Sequence, residues 1–73
     1  LVDYIKLDKR VVAEKHNKPF MLLVEAIINY AHSAGKKVIL EGVETESDII
    51  FARNINTDFV QGFLFKKWFH YHK

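Results

Sequence analysis

The amino-acid sequence predicts an α/β fold, a β-α-β-α-β unit with parallel strands. Three short β-branched or apolar runs are the first observation: Tyr4-Ile5-Lys6-Leu7, Lys37-Val38-Ile39-Leu40, and Phe59-Val60 leading into Gln61. The second is that helical patterns separate them. Strands joined through helices run parallel, because a parallel connection needs a crossover of about a dozen residues or more. Such a crossover is expected to be right-handed. The unit occurs in doubly wound sheets and in (β/α)8 barrels alike, and periodicity does not separate the two.

The first intervening helix has the clearest pattern. Phe20, Leu23, Ile27, Tyr30 or Ala31, and Ala34 recur at three- to four-residue spacing, as one buried helix face does. Glu25, Asn29, Ser33 and Lys36 fall on the opposite, solvated side. Pro19 suits the first turn with Asn17 or Lys18 at the cap, and Gly35 suits the left-handed residue that ends a helix. For the second helix, Thr45-Glu46-Ser47-Asp48 has the spacing of a capping box. Ile49, Phe51, Ala52 and Ile55 supply its apolar side, and Asn54 or Asn56 ends it. The stretch from Lys9 to about Lys18 is polar and poorly patterned, a loop with one helical turn at most.

Size and composition narrow the possibilities. The chain has 73 residues, 49% hydrophobic and 27% charged, which is globular composition rather than disordered or fibrous. A chain this short buries only about 60% of its unfolded surface. With no cysteine it has no disulfide and no thiolate metal site to staple it, and that absence fits a reducing compartment. Eleven Lys and Arg against nine Asp and Glu, scattered along the chain, argue against a DNA or RNA polymer as partner. Apolar stretches fall far short of the ~20 residues a membrane span needs. Leu1-Val2-Asp3-Tyr4 also lacks the basic opening of a signal peptide, so no membrane contact is expected from this segment. An opening without Met, on what reads as a strand, is what a fragment or a processed form would show.

The chemistry-bearing residues stand at the carboxyl ends of the three runs. The first ends in Lys6-Leu7-Asp8, the second in Glu41-Gly42-Val43-Glu44, the third in Gln61-Gly62. Parallel α/β folds place their sites at that edge, where loops converge on rigid strands. Carboxylates facing a shared mouth with a Lys and a Gln suit Mg²⁺ or Mn²⁺ held against phosphate oxygens. A Lys beside them can stabilise a developing oxyanion or orient an attacking water. Each residue also has a plain structural reading. Lys6 could be a solvated strand-end charge, Glu41 and Glu44 loop acids, Gln61 a turn-bonding amide, and Gly42 the mark of a tight turn. Taken singly, that plain reading is the better one. Coincidence on three strands favours the site.

These residues resemble a known family, the EAL domains. Ile5-Lys6-Leu7-Asp8-Lys9 resembles the family's Lys-Ile-Asp-Arg strand end, and Val38 to Thr45 its Val-Ala-Glu-Gly-Val-Glu-Thr segment. Thr57 to Phe65 is similar to its last Asp-x-x-Gln-Gly-Tyr-x-Phe strand, and Ala31-His32-Ser33-Ala34-Gly35 to its Ala-His-x-x-Gly helix end. The match runs in order from Val2 to Phe65. It implies that residues 1–65 are the C-terminal part of an EAL domain, the last three strands of a TIM-like (β/α)8 barrel. Residues 66–73 form an aromatic and basic tail left unassigned. In that tail His70 and His72, two residues apart, are more often surface side chains than metal ligands.

The resemblance implies bacterial signalling chemistry: hydrolysis of cyclic di-GMP to the linear dinucleotide, using divalent cations to activate a water. Carried over residue by residue, Lys6 bonds the attacking water or the scissile phosphate. Glu41 is a metal ligand or, on another reading, the general base. Glu44 braces the active-site loop, Gln61 positions water or substrate, and Asp8 supports Lys6. A cytoplasmic location is expected, with tethering of the parent through other domains left open. Two departures stand out: Leu40 replaces the family's Ala, a larger side chain that its buried neighbours must make room for, and Trp68 stands near the family's closing Pro.

The family's Glu-Ala-Leu motif, its Asn and second Glu ligands and its paired Asp loop all lie upstream of the residues present. Glu41 alone is too few ligands for a hard divalent ion, so the isolated chain is expected to bind no metal tightly and to be inactive. The alternative is a degenerate EAL domain that senses cyclic di-GMP or a protein without chemistry. Three barrel strands also leave two unpaired edges. Self-association is expected, or cover of the open sheet face by the tail residues Phe63, Phe65, Trp68, Phe69 and Tyr71.

Overall fold

The computed structural model describes residues 3–62. Elements follow in the order β1 (Tyr4–Leu7), α1 (Arg10–Ala13), α2 (Lys18–Ser33), β2 (Lys37–Leu40), α3 (Glu46–Asn54) and β3 (Phe59–Val60). The three strands form one parallel sheet in the order β1-β2-β3. Leu7 pairs with Leu40, and Leu40 with Val60, so the three carboxyl ends are level. The ladder runs on past the strands: the Glu41 N–H donates to the Leu7 carbonyl at 3.0 Å and the Gln61 N–H to the Leu40 carbonyl at 2.9 Å. The tail residues invoked to cover the open face, and His70 with His72, lie outside the described residues.

Local signals set the helix ends. The Asn17 side chain accepts from the Phe20 N–H at 3.2 Å and Pro19 fills the first turn, while Gly35 adopts φ 75° just past α2. These are the donor-satisfying cap and the left-handed exit that helices use. Thr45 caps α3 by accepting from the Asp48 N–H at 3.0 Å. The Asp48 carboxylate reaches one residue upstream of the cap, accepting from the Glu44 N–H at 3.0 Å. Asn56, at φ 70°, turns the chain after α3 toward β3. α1 is a single turn, started where the Asp8 carboxylate accepts from the Arg10 N–H at 2.9 Å.

The pleat sorts the sheet into two faces. Leu7, Val38 and Leu40 are buried on one, packed with Val11, Met21, Val24, Ile28, Ala31, Val43, Ala52 and Ile55; Ile5 and Val60 join them partly buried. The other face presents Tyr4, Lys6, Lys37, Ile39 and Phe59. The Tyr4 and Phe59 rings meet across the central strand with centroids 6.0 Å apart. Leu40 is fully enclosed in the core, so its bulk is accommodated.

The buried stripe of α2 lies one residue round from the expected one. Met21, Val24, Ile28 and Ala31 face the core, Phe20 and Ile27 flank it, and Leu23 and Tyr30 are 56% and 62% exposed. The reason is that from Pro19 to Ala31 every position but Glu25 and Asn29 is apolar. A one-residue shift turns the stripe by about 100° while keeping its spacing.

At the amino edge, Asp58 is a clamp. Its N–H donates to the Val38 carbonyl at 2.9 Å, and its carboxylate accepts from the Val38 N–H at 2.8 Å. The same oxygen lies 2.8 Å from His32 Nε2 at the end of α2. Burial raises the Asp58 carboxyl, but His32, the Val38 N–H and the Lys37 charge outweigh it and hold the group below its ordinary value of 3.8.

Candidate active site

The residues singled out in the sequence gather at the carboxyl edge. Lys6, in β1, and Glu41, one residue past β2, come together with Lys6 Nζ 3.5 Å from Glu41 Oε2. Alternation puts both on the face away from the helices. Gln61 follows β3, and its place one residue after core-facing Val60 puts it on that face as well. Three polar side chains from three strands therefore share one rim. With side chains 56% and 38% exposed, the Lys6–Glu41 pair contributes at most about 1 kcal/mol to stability. Its value lies in placement.

Backbone bonds to both neighbouring strand ends hold the first part of the Glu41–Thr45 loop. The Glu41 N–H is bonded to β1, and the Val43 N–H donates to the Gln61 carbonyl at 3.1 Å beyond β3. Gly42, at φ 81°, lies so close to α1 that a Cβ there would stand 2.5 Å from Lys9 Cβ. Gly62 is equally constrained, since a Cβ would run into the Val43 carbonyl. Glu44 is exposed, its N–H held by the Asp48 carboxylate.

Two of the expected residues sit apart from the rim pair. Asp8 shapes the turn after β1 through its bond to the Arg10 N–H. With Lys9, Arg10, Val12, Gly42 and Glu44 it lines a shallow cleft between α1 and the loop. That cleft includes neither Lys6, Glu41 nor Gln61. The convergence of charged strand ends, rather than the cleft, marks the place where chemistry could occur.

Two residues that hold the loop were not singled out as candidates from the sequence. Asp48 is 7% exposed, the buried acid among the described residues. Its second oxygen lies 3.3 Å from Lys15 Nζ, on the segment that follows β1. Burial raises the Asp48 carboxyl, but the Glu44 N–H, Lys15 and Thr45 outweigh it and hold the group below its ordinary value of 3.8. The capping-box spacing hinted at Asp48; nothing local hints at Lys15, 33 residues away.

As a metal donor, Glu41 offers the hard carboxylate oxygen that Mg²⁺ or Mn²⁺ prefers, one of the six or so oxygens such an ion takes. Among the described residues no group of three or more His, Asp or Glu is placed to hold a metal ion. Among the same residues no helix is long and apolar enough to cross a membrane.

An uncharacterized protein of Azorhizobium caulinodans is 35% identical over 65 residues, covering 88% of this chain and 9% of that protein. The cyclic di-GMP phosphodiesterase NbdA of Pseudomonas aeruginosa is 33% identical over 67 residues, 90% of this chain and 9% of that protein. The chain thus spans only a small part of the curated relatives it matches. No solved structure matches it. The family model of the EAL domain matches residues 1–67, with Lys6, Glu41, Glu44 and Gln61 all inside the match, and the chain belongs to the EAL domain family.

Proposed function

We propose that this chain is the C-terminal part of a cyclic di-GMP phosphodiesterase, supplying the last three strands of a TIM-like barrel. The observation that carries the reading is the rim: Lys6 and Glu41 3.5 Å apart at the carboxyl ends of adjacent strands, in a chain of the EAL family. The face bearing them is the one a closed barrel turns inward. Lys6 bonds the attacking water or the scissile phosphate as charge develops on its oxygens. Gln61 positions water or substrate from the third strand, Glu44 braces the loop, and Asp8 supports Lys6 by shaping the turn after it. Glu41 is one metal ligand in the complete domain. Glu41 would hold magnesium or manganese together with ligands from the rest of the domain, and the ion would supply Lewis-acid activation of water for hydrolysis.

The 73-residue chain by itself is inactive on this reading, because the remaining ligands come from elsewhere in the domain. It self-associates through its exposed β1 and β3 edges and its open sheet face. Metal-dependent turnover of cyclic di-GMP by the purified chain would overturn the first statement.

The functional test is a graft. Residues 1–67 replace the aligned segment of the Pseudomonas relative, and hydrolysis of cyclic di-GMP is measured with magnesium. We expect activity in the graft and its loss, by about a hundredfold or more, in Lys6→Ala and Glu41→Gln. A graft that melts like the relative, binds the nucleotide and never hydrolyses it would favour a sensor.

A further inference from the structure

The Glu41–Thr45 loop carries Glu41 of the rim and Glu44 of the neighbouring cleft, yet the strand ladder holds it only as far as Val43. Beyond that point the hold passes to Asp48. This carboxylate is buried, and both of its oxygens are engaged: one by the Glu44 N–H at 3.0 Å, the other by Lys15 Nζ at 3.3 Å. Its own N–H is fixed by Thr45 at 3.0 Å, so the group that holds the loop is itself held by the start of α3. Lys15 lies at the far end of the segment that begins at Asp8, and the near end of that segment presses on Gly42 through Lys9. The strand end bearing Lys6 and the loop bearing Glu41 and Glu44 are therefore linked twice outside the sheet, once by packing at Gly42 and once by charge at Asp48.

We propose that Asp48 is a positioning residue of the active site: clamped by Lys15, its carboxylate fixes the Glu44 backbone and with it the placement of Glu41 and Glu44 relative to Lys6. Its catalytic meaning rests on the phosphodiesterase reading above; its structural meaning does not. A plain helix cap would need only an oxygen on the first turn, which Thr45 already supplies. Asp48 adds a charge that answers to a residue 33 positions away and a bond outside the helix it begins.

Residue-specific amide exchange on the 73-residue chain tests the structural half. A hydrogen bond to a charged acceptor is strong enough that its loss in Asp48→Ala should speed Glu44 exchange by about tenfold or more. Lys37 to Leu40, in the central strand, should change much less. Asp48→Asn keeps an acceptor but no charge, and Lys15→Met removes the clamp; each should give a smaller rise confined to Glu44 and its neighbours. Unchanged Glu44 exchange in Asp48→Ala, or an equal rise at every amide, would overturn the proposal. In the graft, Asp48→Asn should lower kcat several-fold with KM little changed, and Asp48→Glu should restore part of it. Equal kcat in graft and Asp48→Asn variant would also overturn positioning. A correctly folded graft without activity, with the exchange pattern present, would refute the phosphodiesterase reading and leave the structural role supported.

Discussion

Replacing Asp58 by Ala removes the acceptor of the Val38 N–H, a group buried at the centre of the sheet. An orphaned buried donor costs about 1–3 kcal/mol. The contact to His32 adds less. The two side chains are 29% and 24% exposed, and pairs reached by solvent are worth about 0–1 kcal/mol. Together they span about 1–4 kcal/mol, with a centre near 2.5 kcal/mol. A domain of this size has a total of roughly 4–11 kcal/mol at 0.05–0.15 kcal/mol per residue. At about 4–8 °C per kcal/mol the melting temperature should fall by about 10–20 °C. Asp58→Asn can still accept from Val38 through its carbonyl oxygen, so about 1 kcal/mol is expected. Urea unfolding followed by circular dichroism reads the free energies, and Val38 amide exchange reads the site directly. An Asp58→Ala variant within about 0.5 kcal/mol of the parent, the range of ordinary surface substitutions, would refute the clamp. So would a Val38 amide that stays protected in a folded variant.

Further expectations follow from the same contacts. The carboxyls of Asp48 and Asp58 are both held below their ordinary value of 3.8, so the folded state binds protons more weakly there than the unfolded chain. Their contribution is complete above that value and is lost as pH falls below it through the folded-state values; in acid titrations Asp48→Asn should flatten the fall. Gly42→Ala should cost more than Gly35→Ala. Both residues are left-handed, worth about 1–2 kcal/mol against a side chain, but Gly35 has open space around it and Gly42 meets Lys9. Paired thermal melts decide the order. Sedimentation velocity should show the average mass rising with concentration, and Tyr4→Lys with Phe59→Lys on the open face should shift the chain toward monomer. An unchanged distribution would count against association through that face.

What could be read from the sequence followed the range of each interaction. The helix ends were legible because their causes are local. Asn17 lies three residues from the N–H it caps, Thr45 three from Asp48, and Gly35 stands where α2 ends. The strands were legible from β-branched runs, and the polar groups at their carboxyl ends from their place within or just after those runs. The buried face of α2 was not, because a helix apolar on most sides gives a spacing without a unique centre. Lys15–Asp48 and His32–Asp58, 33 and 26 residues apart, leave no local trace. Charged side chains at such separations look like solvated residues until the fold brings them together.

The alternation of the strands has a consequence for how such a domain changes. At the rim, each strand offers one side chain to the mouth while its neighbour in sequence holds the core: Lys6 beside Leu7, Glu41 beside Leu40, Gln61 beside Val60. The ladder bonds of Glu41 and Gln61 are made by backbone, so they survive any replacement of those side chains other than by proline. On the phosphodiesterase reading, stability and chemistry thus occupy separate, interleaved sets of positions. A lineage could exchange all three rim residues and lose hydrolysis while the sheet, its register and its core stay as they are. Loss of catalysis with retention of fold is then a short evolutionary step, and a silent EAL domain need carry no structural scar.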